Sequence, residues 1–298
     1  MGDTVRTRAN GMDIEYEALG DPLHPAMLLV MGLGAQLIHW PDAFCQGLVA
    51  RGFHVVRFDN RDSGLSTSLD SSGRPDLANV VGQVMRGERA DVPYRLDDMA
   101  ADAVGLLDSL GIERTHIVGA SMGGSIAQLV AGHYQERTRS LVSMMSTSGR
   151  PELATADRDV VKAILGRPPP DDREALIRYV VRVRQVVGSP RYPESEAEHR
   201  ALVERVLARA YNPDGNDRQY AAVIASGHRV ELLQKLRVPT LVLHGEDDAL
   251  LPQEHGRDTA MLVPGSEIEV YPGWGHDIPR GLIPTLVERI ARFCGAAG

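Results

Sequence analysis

Short apolar runs bounded by turn residues recur along the chain, with amphipathic stretches between them. That alternation predicts an α/β protein with a mostly parallel sheet, because strands covered by helices on both faces need no polar side. Met27 to Val30, His54 to Phe58, His116 to Val118, Leu141 to Met145, Thr240 to His244 and Glu267 to Tyr271 read as sheet strands, and Asp13-Ile14-Glu15-Tyr16 alternates like an early edge strand. The clearest helix runs from Leu96 to Leu110, with Leu96, Met99, Ala100, Ala103, Leu106, Leu107 and Leu110 at helical spacing and Gly111 as its stop.

The rhythm breaks twice. Residues 70–95 are polar, with Val80, Val81, Val84 and Met85 predicting one short helix inside an excursion. From Gly149 to Lys235 no convincing strand occurs, and Pro168-Pro169-Pro170, Gly188-Ser189-Pro190 and Asn212-Pro213-Asp214-Gly215 punctuate helical pieces. This interval reads as an inserted helical cap, residues 150–235, in a core made of residues 1–149 and 236–298. Val180, Val181, Val183, Val186 and Val187 are expected to form one apolar helix face there, supported by tertiary packing because valine is a weak helix former.

Composition narrows the function. A chain of 298 residues suits one large domain with an insertion, and 43% hydrophobic against 24% charged residues excludes disorder. A net charge of −8 counts against nucleic acid and anionic membranes as partners. The longest apolar run, Ala26 to Met31, is far below a bilayer span, and the first residues carry no basic-then-apolar leader pattern. Two cysteines, Cys45 and Cys294, make neither a disulfide framework nor a four-ligand zinc site and suit a reducing compartment. A cytoplasmic protein is expected; no oligomeric state follows.

Gly119-Ala120-Ser121-Met122-Gly123-Gly124 follows the apolar run His116-Ile117-Val118 and precedes the helical pattern from Ser125 to Val130. Strand, G-x-S-x-G and helix in that order raise a serine above the sheet on a strained turn, and the flanking glycines remove Cβ atoms that would collide across it. Ser121 is therefore the candidate nucleophile, and the Met122 amide at the helix start is placed to donate to a developing oxyanion. A tight turn with an incidental serine would not need partners downstream, and this chain has them.

Serine needs a base to take its proton and a carboxylate to orient that base. His276 lies in the glycine-rich loop Pro272-Gly273-Trp274-Gly275-His276-Asp277, after the last strand and before the last helix, and is the candidate base. His116, His133, His199 and His228 read as structural or surface residues. For the acid, His244-Gly245-Glu246-Asp247-Asp248 ends a strand with three acids in succession. Asp248, three residues after Gly245 and four before Pro252, is the preferred one and Asp247 the rival.

With Ser, Asp and His in that chain order, the sequence resembles the α/β-hydrolase superfamily over nearly its whole length. Met31-Gly32-Leu33-Gly34 is similar to the family's oxyanion loop with Met31 in the place of histidine, which implies Leu33 as second backbone donor beside Met122. Asp59-Asn60-Arg61-Asp62-Ser63-Gly64-Leu65-Ser66 resembles a family turn that has glycine where Asp62 stands, and Asp59 and Arg61 are expected to fix the loop beside the site. Within the superfamily, Met31-Gly32-Leu33-Gly34, His39-Trp40-Pro41 and the Ser121 turn most resemble actinobacterial carboxylesterases and methylesterases of polyketide antibiotic pathways, of the aclacinomycin methylesterase type.

The resemblance implies a serine esterase acting on small or medium apolar esters through an acyl-enzyme, with no metal and no organic cofactor. Trp40 and Trp274 are expected to line the substrate pocket beneath the cap. The serine at the elbow argues against a haloalkane dehalogenase or epoxide hydrolase, which place Asp there. A carbon–carbon hydrolase, lactonase or cofactor-free perhydrolase would use the same triad, and a ligand-binding member that lost turnover is the remote alternative.

Overall fold

A five-residue strand with only apolar side chains has to lie inside a sheet, and Ala26–Val30 does, with every residue buried. The computed structural model describes residues 4–156, 158–165 and 172–297. Over these the strands are β1 (Val5–Ala9), β2 (Met12–Leu19), β3 (Ala26–Val30), β4 (His54–Phe58), β5 (Thr115–Ala120), β6 (Thr138–Met144), β7 (Thr240–Gly245) and β8 (Glu267–Tyr271). They form one sheet in the order β1-β2-β4-β3-β5-β6-β7-β8, antiparallel at β1/β2 and β2/β4 and parallel elsewhere.

The helices are α1 (Asp42–Val49), α2 (Leu77–Met85), α3 (Leu96–Ser109), α4 (Met122–His133), α5 (Arg158–Leu165), α6 (Arg173–Val187), α7 (Glu196–Arg209), α8 (Pro213–Ser226), α9 (Val230–Gln234), α10 (Glu254–Leu262) and α11 (Ile283–Ala296). Alternation along β3 assigns the layers. Leu28 and Val30 pack under α3 and α4 with Met99, Leu106, Ile126 and Val130. Met27 and Leu29 face α1 and α11 with Phe44, Leu48, Leu286 and Ile290. The mostly parallel, helix-flanked sheet expected from the pattern is the one found. Among the described residues no helix is long and apolar enough to cross a membrane.

Two expectations change in detail. Asp13 to Tyr16 lies in β2, an interior strand, because Val5–Ala9 adds β1 outside it. The two arginines of these five residues suit the exposed edge that β1 forms. In α6 the buried residues are Ile177, Val181 and Val187, the first two packing with Val203 of α7, whereas Val186 is exposed. Pro168-Pro169-Pro170 lies outside the described residues.

The helices between β6 and β7 do not all attach in the same way. Helices α6 and α7 bury apolar residues against each other. Helix α8 is seated on the core by charge: Arg218, fully buried, pairs with Asp62 at 2.7 Å, with Asp70 at 3.0 Å, and donates to the Gly73 carbonyl. Asp62 sits at φ +64°, which explains why glycine is common at this place in the resembling turn. In this chain the carboxylate there accepts from Arg218, from the Tyr94 hydroxyl at 2.8 Å and from the Leu69 amide at 2.8 Å.

Removing one partner of a buried pair strands the other charge. Arg218→Met is expected to lower unfolding free energy in urea by about 3 kcal/mol, whereas Arg74→Ala, at a half-exposed pair with Asp217, should change it by less than about 1 kcal/mol. Equal effects from the two variants would show that the buried pair does not anchor α8.

Candidate active site

Strand β5 enters α4 through Ser121, whose backbone stands at φ 56° and ψ −123°. A Cβ on Gly119 would lie 2.2 Å from the Gly123 carbonyl oxygen, and one on Gly123 would lie 2.1 Å from that of Val30, so the turn admits only glycine at both places. The Ser121 amide donates to Met144 O at 3.0 Å, and Ser121 O accepts from Gly124 N at 2.9 Å and Ser146 Oγ at 2.7 Å. This holds a conformation that ordinarily costs about 1–3 kcal/mol in a non-glycine residue.

Ser121 Oγ lies 2.9 Å from His276 Nε2, and His276 Nδ1 lies 2.7 Å from Asp248 Oδ2. An ionised carboxylate only accepts, so Nδ1 carries the proton and leaves the Nε2 lone pair toward the serine. Asp248 is buried, and its other oxygen accepts from the Leu250 and Leu251 amides at 3.0 and 2.8 Å. The rival Asp247 is exposed and caps the Gly273 amide at 2.7 Å instead.

Electrostatics separates this histidine from His39, His116 and His199. Burial lowers the pKa of His39 and of His116 to about 4 in each case, and burial followed by Arg184 lowers that of His199. Burial also opposes the charged form of His276, but the charge and hydrogen bond of Asp248 outweigh it and raise its pKa above the ordinary value. Asp248 mirrors this: burial pushes its pKa up, yet the His276 charge and the hydrogen bonds from His244 and His276 bring it well below the usual carboxylate range.

The loop Gly32-Leu33 runs beside the nucleophile, since a Cβ on Gly32 would meet Ser121 Cβ at 3.1 Å. The Met122 amide opens α4 next to it, and neither the Leu33 nor the Met122 N–H has an acceptor among the described residues. Asp59 fastens the same region by accepting from the Leu37 amide at 2.6 Å and the Leu65 amide at 2.9 Å, and Arg61 chelates Asp102 at 2.6 and 2.7 Å.

Ser121, Asp248, His276, Leu33 and Met122 are thus brought together; Trp40 and Trp274 are not pocket residues. Both tryptophans have zero exposure in the core between the sheet and α1 and α11. Trp40 stacks on Phe44, and Trp274 braces the histidine loop from beneath, its indole donating to Asp277 O at 2.6 Å. A large apolar ring near catalytic loops suits a core as well as a pocket, and here the core takes it. Two supports carried no signal in the sequence. His244 places Nε2 3.5 Å from Asp248 Oδ2 and 2.8 Å from Leu251 O. Ser189, in the helical insertion, donates to Asp277 and accepts from the Gly275 amide at 2.9 Å.

A serine, histidine and aspartate on the loop ends of β5, β8 and β7 define a hydrolase-type site on a doubly flanked parallel sheet. The chain belongs to the alpha/beta hydrolase fold family, whose pattern matches residues 25–169. It is 30% identical to 2-hydroxymuconate semialdehyde hydrolase of Pseudomonas sp. (strain CF600), over 77% of each chain. Identity to rhodomycin D methylesterase DnrP of Streptomyces peucetius is 26% over 94% of each. Among solved structures, the meta-cleavage product hydrolase CumD from Pseudomonas fluorescens IP01 superposes with a TM-score of 0.75 at 19% identity, covering 100% of this chain and 98% of that one.

An NMR titration of the His276 ring is expected to give a midpoint above the ordinary histidine value of about 6.5, and Asp248→Asn should move it down by removing the charge that raises it. A wild-type midpoint below that value would refute the pairing.

Proposed function

We propose that this chain is a serine carboxylic-ester hydrolase that works through an acyl-enzyme. The observation that carries the reading is the continuous line Ser121 Oγ, His276 Nε2, His276 Nδ1 and Asp248 Oδ2, with steps of 2.9 and 2.7 Å at its two hydrogen bonds. Ser121 attacks the ester carbonyl as His276 takes its proton, and the Leu33 and Met122 amides receive the oxyanion. His276 returns the proton to the leaving alkoxide. Water, deprotonated by the same histidine, then attacks the acyl carbonyl, and His276 passes that proton to Ser121 Oγ as the acyl–serine bond breaks and the acid leaves, while Asp248 stabilises the imidazolium in both steps.

Residues 150–235 act as a cap over this site in the proposed reading, and the substrate is a small or medium ester with an apolar group. Leu33, 39% exposed beside Ser121, supports the apolar preference, as does the methylesterase relative, which acts on rhodomycin D. A cytoplasmic location accords with Cys45 and Cys294, which are both buried and unpaired. The second reading is a carbon–carbon bond hydrolase with the same triad, favoured by the 30% identity to 2-hydroxymuconate semialdehyde hydrolase.

Turnover of p-nitrophenyl acetate, butyrate and longer esters, alongside lactones and 2-hydroxymuconate semialdehyde, tests both. Ser121→Ala is expected to lose at least about a thousandfold in kcat, and Asp248→Asn to lose far more than Asp247→Asn. Equal rates for wild type and Ser121→Ala would sink the nucleophile. Preference for the semialdehyde over every ester would transfer the assignment to carbon–carbon hydrolysis.

A further inference from the structure

A loop that carries an oxyanion donor must be held still, and Gly32-Leu33-Gly34-Ala35 has two glycines with little preference of their own. It is a turn closed by Ala35 N donating to Gly32 O at 3.2 Å, with Gly34 at φ +67°, a sign of φ that the third turn position takes only when glycine or a similarly permissive residue is there. Gly32 O and Leu33 N–H belong to one trans peptide, so holding the oxygen aims the amide the opposite way. Met31, standing where the resembling loops carry histidine, brings no side-chain hydrogen-bond donor to the turn.

From the core, Asn60 Nδ2 donates to Met31 O at 2.9 Å and Ser63 Oγ to Ala35 O at 2.8 Å, so the two ends of the turn are tied and its Gly34 amide is held from the insertion. Gln219 of α8 is fully buried; its Oε1 accepts from Gly34 N at 2.7 Å and its Nε2 donates to Arg61 O at 2.7 Å. Asn216, one turn earlier on α8, lies so close that a Cβ on Gly34 would fall 2.8 Å from its Oδ1. Gln219 directly follows Arg218, whose pairing with Asp62 seats this helix. The middle of α8, which carries Gln219, is therefore fixed to the core independently of the contact Gln219 makes.

We infer that Gln219 is a positioning residue for the reaction: from the cap, it locks the Leu33–Gly34 peptide and thereby fixes the Leu33 amide toward the oxyanion of the substrate carbonyl. The inference rests on the esterase reading for its kinetic consequence but not for its geometry. Gln219 touches no reacting atom, and its effect passes through the turn. A misaimed donor stabilises the transition state less while leaving the ground-state fit of the substrate nearly alone.

Gln219→Leu removes both bonds, and Gln219→Glu keeps an acceptor opposite Gly34 N. With p-nitrophenyl butyrate, Gln219→Leu is expected to lower kcat by about ten- to a hundredfold with KM within about threefold, and Gln219→Glu to recover most of that loss. The pH profile should keep its acid limb, because His276 is untouched. Amide hydrogen exchange supplies a readout that needs no turnover: Gly34 N–H should exchange slowly in the wild-type chain and at least about tenfold faster in Gln219→Leu, with global protection unchanged. A folded Gln219→Leu with wild-type kcat overturns the inference, as does a loss of kcat, KM and thermal stability together that Gln219→Glu shares. If Gln219→Leu does not fold, a wild-type Gly34 amide exchanging as fast as an exposed one overturns it too. No ester turnover by the wild-type chain, with Gly34 protected by Gln219, would defeat the esterase reading and leave the clamp standing.

Discussion

Everything chemical in this molecule depends on one uncomfortable backbone position. Ser121 occupies a left-handed φ that side chains avoid, and the site exists only while that position is held. The restraint is built from both sides of the turn. Behind it, Ser146 Oγ donates to Ser121 O, and the buried Arg229 guanidinium donates to Ser125 Oγ, Gln128 Oε1 and Thr147 O. Burial lowers the Arg229 pKa to about 10, so it remains a cation among neutral acceptors, tying α4 to the segment after β6. In front, the missing Cβ atoms of Gly119 and Gly123 let the strand, the helix start and the end of β3 approach to a distance no other residue would allow.

Charge is distributed with the same economy. Asp248 is buried where a lone carboxylate would protonate, and it stays ionised because His276 and His244 face it. That retained charge is what raises the His276 pKa while burial lowers those of His39 and His116. A proton acceptor whose proton affinity is enhanced by a fixed anion is suited to receive the serine proton; the same histidine without Asp248 would follow His39 and His116 downward.

How much of this was legible depended on how local each signal is. The Ser121 turn is a short motif bracketed by a strand and a helix, and the parallel strands are continuous apolar runs, so both could be read directly. His276 and Asp248 are distant in sequence but follow strand ends, which narrowed the choice to named loops. Spacing to Gly245 and Pro252 favours Asp248 over Asp247, and burial against exposure then separates the two. Trp40 and Trp274 show the reverse limit, because hydrophobicity near a site does not say which side of a loop a ring occupies. Strand β1 was missed because two arginines in five residues hide a strand that, among the described residues, pairs with β2 alone. Asp62 registered merely as a departure from glycine, and its partner Arg218 lies 156 positions away.

The insertion is tied to the reaction centre at two separate places. Near the end of α6, the His276 amide donates to Val187 O at 2.7 Å, Gly275 N to Ser189 Oγ at 2.9 Å, and Arg191 N to Gly273 O at 3.1 Å. A Cβ on Gly275 would fall 2.4 Å from Gly188 O, so the two backbones are in direct contact there. On α7 and α8, Arg209 reaches Asp59, Gln36 donates to Val206 O and Ala210 O, and Gln219 receives Gly34 N. One attachment grips the loop of His276 and the other grips the loop of Leu33. The helical segment is therefore part of what sets the distance between these two loops. A displacement that broke either set of bonds would disturb the main chain at His276 or at Leu33, because each set includes bonds to the backbone of the loop itself.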